Sequence, residues 1–222
     1  MRRYAVVAAL LLFTGCASVP DHAYYPTPSD PGTKAVAASL YRAARAASDD
    51  PARYSFALIR TRDVSAYTAD NATFYFSEGL TRQPLHVVDA LIAHEVAHEQ
   101  LGHSGRRRAL SLGLSAGFTV LGFIVPGAGL VDFLVNPLLV RAYTRDQETA
   151  ADLKAVEILR SMGYDAPRRL LAEALRDAAT INGRPRGGWF ATEADIDDRL
   201  SALEPLESVP AAAARVITPH TR

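Results

Sequence analysis

The chain has 222 residues, 49% of them hydrophobic and 22% charged, a balance that suits one globular domain with short flanking segments. Its 24 basic and 24 acidic residues cancel, so no global field draws it to nucleic acid, and that class of partner is set aside. Cys16 is the only cysteine, which excludes a disulfide framework or a thiolate metal site beyond it and leaves His and carboxylates as the available metal ligands.

Residues 1–15 read as an export signal. Arg2 and Arg3 form a basic start, Tyr4 to Phe13 is a short apolar run, and Phe13-Thr14-Gly15-Cys16 closes it. The closing residues resemble a bacterial lipobox, with Phe13 where leucine is commoner. Lipid chains on Cys16 would anchor the protein to a membrane. Ala17, rather than Asp, follows the cysteine, and by resemblance to Gram-negative sorting rules this favours the outer membrane, with the domain in the periplasm. Residues 16–32, rich in proline from Val19 onward, read as a tether. The folded domain is expected over 33–204 and a disordered tail over 205–222.

Within the domain, Thr33 to Ser48 carries Val36, Leu40, Tyr41 and Ala44 at helical spacing and stops at Asp49-Asp50-Pro51. A β-rich stretch follows: Tyr54 to Arg60, Val64 to Thr68, a turn over Ala69 to Ala72, and Thr73 to Ser77 with its Phe74-Tyr75-Phe76 run. Pro84 is suited to be the first residue of a helix reaching about His103, where Gly102 and Gly105 help stop it. Residues 109–142 are strongly apolar but broken at Pro126-Gly127, Asp132 and Asn136-Pro137. Each half is shorter than the roughly 20 residues of a bilayer-spanning helix, which favours a buried or membrane-touching helical hairpin. Arg141 to Met162 reads as a helix ended by Gly163, and Pro167 to Ile181 as another.

His94-Glu95-Val96-Ala97-His98 falls inside the Pro84 helix. Positions i and i+4 share a face, so both imidazoles can reach one ion while Glu95 reaches water beside it. Two surface histidines with a solvated glutamate are the plain alternative. Against it, Val87, Val88, Leu91, Ile92, Val96 and Ala97 make the helix apolar over much of its surface, and a buried His-Glu-His cluster needs pairing or a metal. A catalytic site needs a third protein ligand. His103 follows His98 by five, and helical continuation would carry it past the metal, so it is read as a supporting residue behind the ligands. Glu148-Thr149-Ala150-Ala151-Asp152 offers the better source: Glu148 as ligand from a second helix, and Asp152 one turn on to accept the proton of His94's far nitrogen.

On these residues the chain resembles the CAAX-prenyl-protease and heat-shock-protease group of zinc metallopeptidases, family 48 of the metallo class, and particularly its bacterial periplasmic lipoproteins. The likeness spans roughly Tyr54 to Leu203. It rests on Val64 to Thr68 with Phe74 to Leu80, His94 to His98 with His103, Gln147-Glu148 with Ala151-Asp152, and Thr192 to Leu200. It implies one Zn2+ per chain, endopeptidase activity, Glu148 as third ligand, Asp152 behind the ligands, and an α+β fold: a mainly helical zincin-like domain with a small β-sheet. One departure stands out. Where many members read Thr-His-Pro, this chain reads Thr192-Glu193-Ala194, so the oxyanion role given to that His passes to Arg199 or lapses, and Arg199 then only braces the site.

The expected activity is hydrolysis of peptide bonds in unfolded or misassembled envelope proteins, with Glu95 as the proton-transferring base. The Phe74 to Ser77 strand, as a sheet edge, would pair with substrate backbone. The rival reading is a zinc-bearing chaperone-like or binding module that serves the outer-membrane assembly machinery without cutting; a third is a hydrolase of peptidoglycan peptides.

Overall fold

The computed structural model describes residues 23–69, 72–105, 143–183 and 196–208. Cys16 and the export signal, the apolar 109–142 segment, Thr192 to Ala194 and the end of the tail lie outside the described residues. The architecture is α+β, mostly helical with a four-stranded sheet. None of the described helices is long and apolar enough to cross a membrane.

The sheet contains β1 (Ala23–Tyr24), β2 (Ser55–Ile59), β3 (Ala66–Ala69) and β4 (Thr73–Ser77) in the order β1-β2-β4-β3. β2 and β4 are parallel, with Ser55 opposite Thr73, while β1 on β2 and β3 on β4 are antiparallel. This corrects the expectation that Phe74 to Ser77 forms an edge: β4 lies inside the sheet, and β3 takes the outer position. The unbroken run Phe74-Tyr75-Phe76 is the reason. All three rings are buried, as suits a strand covered on both faces, whereas a half-exposed edge strand alternates. β3 does alternate, with Ala66 and Thr68 buried and Tyr67 and Ala69 half-buried.

The stretch read as a tether also enters the fold. Ala23 and Tyr24 pair with β2, and the Tyr24 hydroxyl donates to Glu78 at 2.9 Å. The first helix, α1 (Pro31–Ala46), starts two residues earlier than its apolar pattern suggests, because Asp30 caps it by accepting the Thr33 amide at 2.8 Å and Pro31 fits the first turn. A short helix α2 (Glu78–Thr81) follows β4. At Gly79 the chain passes so close to the loop before β3 that an added Cβ would lie 2.2 Å from the Asp63 carbonyl oxygen, a place only glycine fits.

The central element is α3 (Leu85–Gln100), buried from Val87 through His98 on every face. Apolar residues lie on every side of it, so it has no solvent face and must be enclosed, and its buried Asp89, His94, Glu95 and His98 must find partners inside. α1, α4 (Arg145–Ser161), α5 (Pro167–Asn182) and β3 enclose it. Gly102, at φ 65°, ends the run after Leu101. The sequence pattern missed α6 (Ile196–Ala202), a seven-residue helix with one buried residue, Arg199, and so no apolar stripe to read. Residues just beyond 204 are tied down as well: Glu207 accepts the Arg168 and Arg169 amides at 3.1 and 2.9 Å, capping α5.

Candidate metal centre

His94 and His98 lie one turn apart on α3, with their Nε2 atoms 2.9 Å from each other. α4 begins at a capping box in which Thr144 and Gln147 satisfy each other's amides. That box fixes the first turn, and the residue after it, Glu148, is delivered to the histidine pair. Its carboxylate oxygens lie 3.3 Å from His94 Nε2 and 3.5 Å from His98 Nε2. Among the described residues these three form the cluster of ligand-type side chains able to hold a metal.

Two observations show that the cluster fits an ion. Both Glu148 oxygens are buried and accept no hydrogen bond, with Arg199 Nη1 in charge contact with Oε2 at 3.3 Å, which leaves their lone pairs free for an ion between the two imidazoles. The three donor pairs also lie well within the about 4.2 Å that two bonds of about 2.1 Å to one ion can bridge. Two imidazoles and one carboxylate make the ligand set of a catalytic zinc site, which keeps a fourth position for water; neighbouring divalent ions accept the same donors.

Behind the candidate ligands, His94 Nδ1 lies 2.9 Å from Asp152 Oδ1, an acceptor placed to keep a proton on Nδ1 and leave Nε2 facing inward. Arg199 donates to both Asp152 oxygens, from Nε at 2.8 Å and Nη2 at 2.6 Å, and its Nη1 lies 3.3 Å from Glu148. It is 1% exposed and links the two carboxylates across α4 and α6. His103 lies beyond the end of α3, and its Nδ1 is 2.9 Å from His98 Nδ1, on the far side of the ring from Glu148. Glu95, 1% exposed, faces β3, where the Thr68 hydroxyl lies 2.8 Å from its Oε2.

Two neighbours escaped the sequence reading. Thr68 is a polar residue at an inward-facing position of β3, a signal visible only once the strand's faces are assigned. Tyr143 stacks on His98 with ring centroids 3.7 Å apart, and it directly precedes the Thr144-x-x-Gln147 box, which could have marked the helix start. Residues 32–207 match the family model of peptidase family M48.

The chain belongs to peptidase family M48.

No curated protein matches it. The region matched to M48 runs from the first turn of α1 to just past α6, and so takes in His94, Glu95, His98, Glu148, Asp152 and Arg199.

The electrostatics of this M48 site favour a cation. Burial and the Arg199 charge push His94 down, but the Asp152 and Glu148 carboxylates against its two ring nitrogens outweigh them and lift it to about 10. Burial and the adjacent His94 charge take His98 down to about 3. Glu148 is held well below the usual carboxylate range: burial opposes this, and close contact with both histidines and the Arg199 charge overcome it. The metal-free site thus favours a protonated His94, held by the Asp152 and Glu148 carboxylates on its two ring nitrogens. That proton stabilises the metal-free fold below about pH 6.5, and the contribution is lost as pH rises through about 10. Metal uptake at pH 7–8 is expected to release about one proton per ion, falling towards none above pH 10. Calorimetry in buffers of different ionisation enthalpy measures this, and metal binding with no proton release at pH 7 would mean that His94 is neutral.

Proposed function

We propose that the protein is a zinc-dependent endopeptidase of the bacterial envelope, lipid-anchored through Cys16 to the periplasmic face of the outer membrane, which cuts unfolded or misassembled envelope proteins. The observation that carries the peptidase reading is the convergence of the buried Glu148 carboxylate on the Nε2 atoms of His94 and His98, with Glu95 one step round the same helix. His94, His98 and Glu148 would hold the ion. Bound there, zinc supplies Lewis-acid polarisation of the scissile carbonyl and a lowered pKa for water.

Glu95 takes the proton of the attacking water and passes it to the leaving amine. Asp152 and His103 hold the two imidazoles in the tautomers that direct Nε2 inward. Arg199 is engaged by Asp152 and Glu148, and this supports a bracing role over contact with the oxyanion. β3, the outer strand that lies beside Glu95, replaces β4 as the segment that would pair with substrate backbone. Pairing of that kind reads little side-chain identity, which supports unfolded chains as substrates. The envelope location rests on the N-terminal lipobox likeness.

A second reading is supported by the burial of the site: His94, His98 and Glu148 are 0% exposed and Glu95 1%. It describes a closed zinc-bearing module that serves outer-membrane assembly without cutting. One experiment separates the two. Casein cleavage by the purified chain is expected to need about one zinc per chain, to stop on chelation and to return when zinc is added back. One tightly held zinc with no cleavage would favour the closed module, and a chain that takes up no metal would overturn both.

A further inference from the structure

We propose that Thr68 is a positioning residue that holds the Glu95 carboxylate in its working orientation; the proposal rests on the reading of Glu95 as the base. Thr68 is fully buried on β3, and its hydroxyl lies 2.8 Å from Glu95 Oε2 and 2.9 Å from the Glu95 carbonyl oxygen. A hydroxyl has one proton to give, and a carboxylate is the stronger acceptor. The donor itself is fixed. Thr68 is β-branched and stiff at χ1, and its backbone is set by pairing opposite Phe74. Its carbonyl accepts the Tyr143 hydroxyl at 3.4 Å, while the Tyr143 ring lies against His98. One strand residue thereby ties the base on α3 to the outer strand and to the segment that stacks on a candidate ligand.

Glu95 needs such a tie. Its side chain has three rotatable bonds, and a general base acts only when held within hydrogen-bond reach of the proton it takes. Packing alone would be served at an inward strand position by valine, which fills the same volume without the cost of burying a hydroxyl.

The test uses the zinc-loaded full chain as wild type, Thr68→Val, Thr68→Ser and Glu95→Gln, on one fluorogenic casein-derived peptide. Thr68→Val is expected to lower kcat about 10- to 100-fold with KM and zinc content unchanged, and Thr68→Ser, which keeps the hydroxyl, to restore most of it. Crystal structures are expected to show the Glu95 carboxylate displaced in Thr68→Val and in place in Thr68→Ser. Wild-type kcat in Thr68→Val, a serine variant as slow as the valine one, or a Glu95 carboxylate unmoved in Thr68→Val would each overturn the proposal. Cleavage by wild type with kcat about 10²-fold or more lower in Glu95→Gln keeps the role of the base intact, so those results bear on Thr68 alone. Cleavage by Glu95→Gln at the wild-type rate overturns the base and this proposal together.

Discussion

Glu95→Gln is expected to leave one zinc per chain in place and to lower kcat by about 10²- to 10⁴-fold, the usual contribution of a positioned base. The substitution changes one atom and removes the ability to accept a proton. It leaves His94, His98 and Glu148 untouched, so metal affinity is not the variable. It also keeps an oxygen for the Thr68 hydroxyl, which now lies 2.8 Å from Glu95 Oε2. Unfolding is a poor explanation for the loss, because Glu95 is buried and a neutral side chain there carries no charge-burial cost. Zinc analysis beside single-turnover kinetics checks the expectation. A variant that keeps its zinc and cuts at the wild-type rate would remove Glu95 from the chemistry and require another base.

Arg199→Met is expected to destabilise the metal-free protein by about 3–5 kcal/mol, the cost of leaving a buried charge without its partner. Two carboxylates depend on this guanidinium: Asp152, bonded through both oxygens, and Glu148, 3.3 Å from Nη1. The sign with pH follows from Asp152. Burial pushes its carboxyl up, but the Arg199 charge and hydrogen bonds outweigh that and hold it below the ordinary value of 3.8. A depressed carboxylate contributes stability above its unfolded pKa and loses it as pH falls through the folded one. The difference in Tm between wild type and variant is therefore expected to be full at pH 7 and to shrink below about pH 4. Zinc is expected to restore part of the stability by giving Glu148 a cation. Scanning calorimetry with and without zinc reads all three, and a variant with wild-type Tm in the metal-free state would show that Arg199 does not brace the site.

Local signals carried much of this protein. The start of α3 was readable to within a residue from Pro84 and the apolar run, though the helix stops at Gln100 rather than near His103, and i, i+4 geometry then placed both imidazoles on one face with no need of a neighbour. Asp152 could likewise be put on the Glu148 face, because four residues make about one turn of any helix. β4 was found with correct ends, and its place in the sheet was not. Strand order is a long-range property: residues 55–59 pair with 73–77 in parallel across an intervening strand, and no local pattern encodes that choice. β1 was invisible for a related reason, since two residues carry no period and become a strand only by pairing with β2.

The sequence by itself therefore determined the histidine pair, Glu95 beside it and the helix that carries them, because these depend on residue type at fixed spacing within one helix. The tertiary structure alone decided the rest. It brought Glu148 to the histidine pair across fifty residues, set Thr68 against Glu95 and Tyr143 on His98, and turned Arg199 onto the two carboxylates. Each of those contacts joins elements distant in sequence, and such contacts are fixed only when the apolar faces of α1, α4, α5 and β3 close around α3.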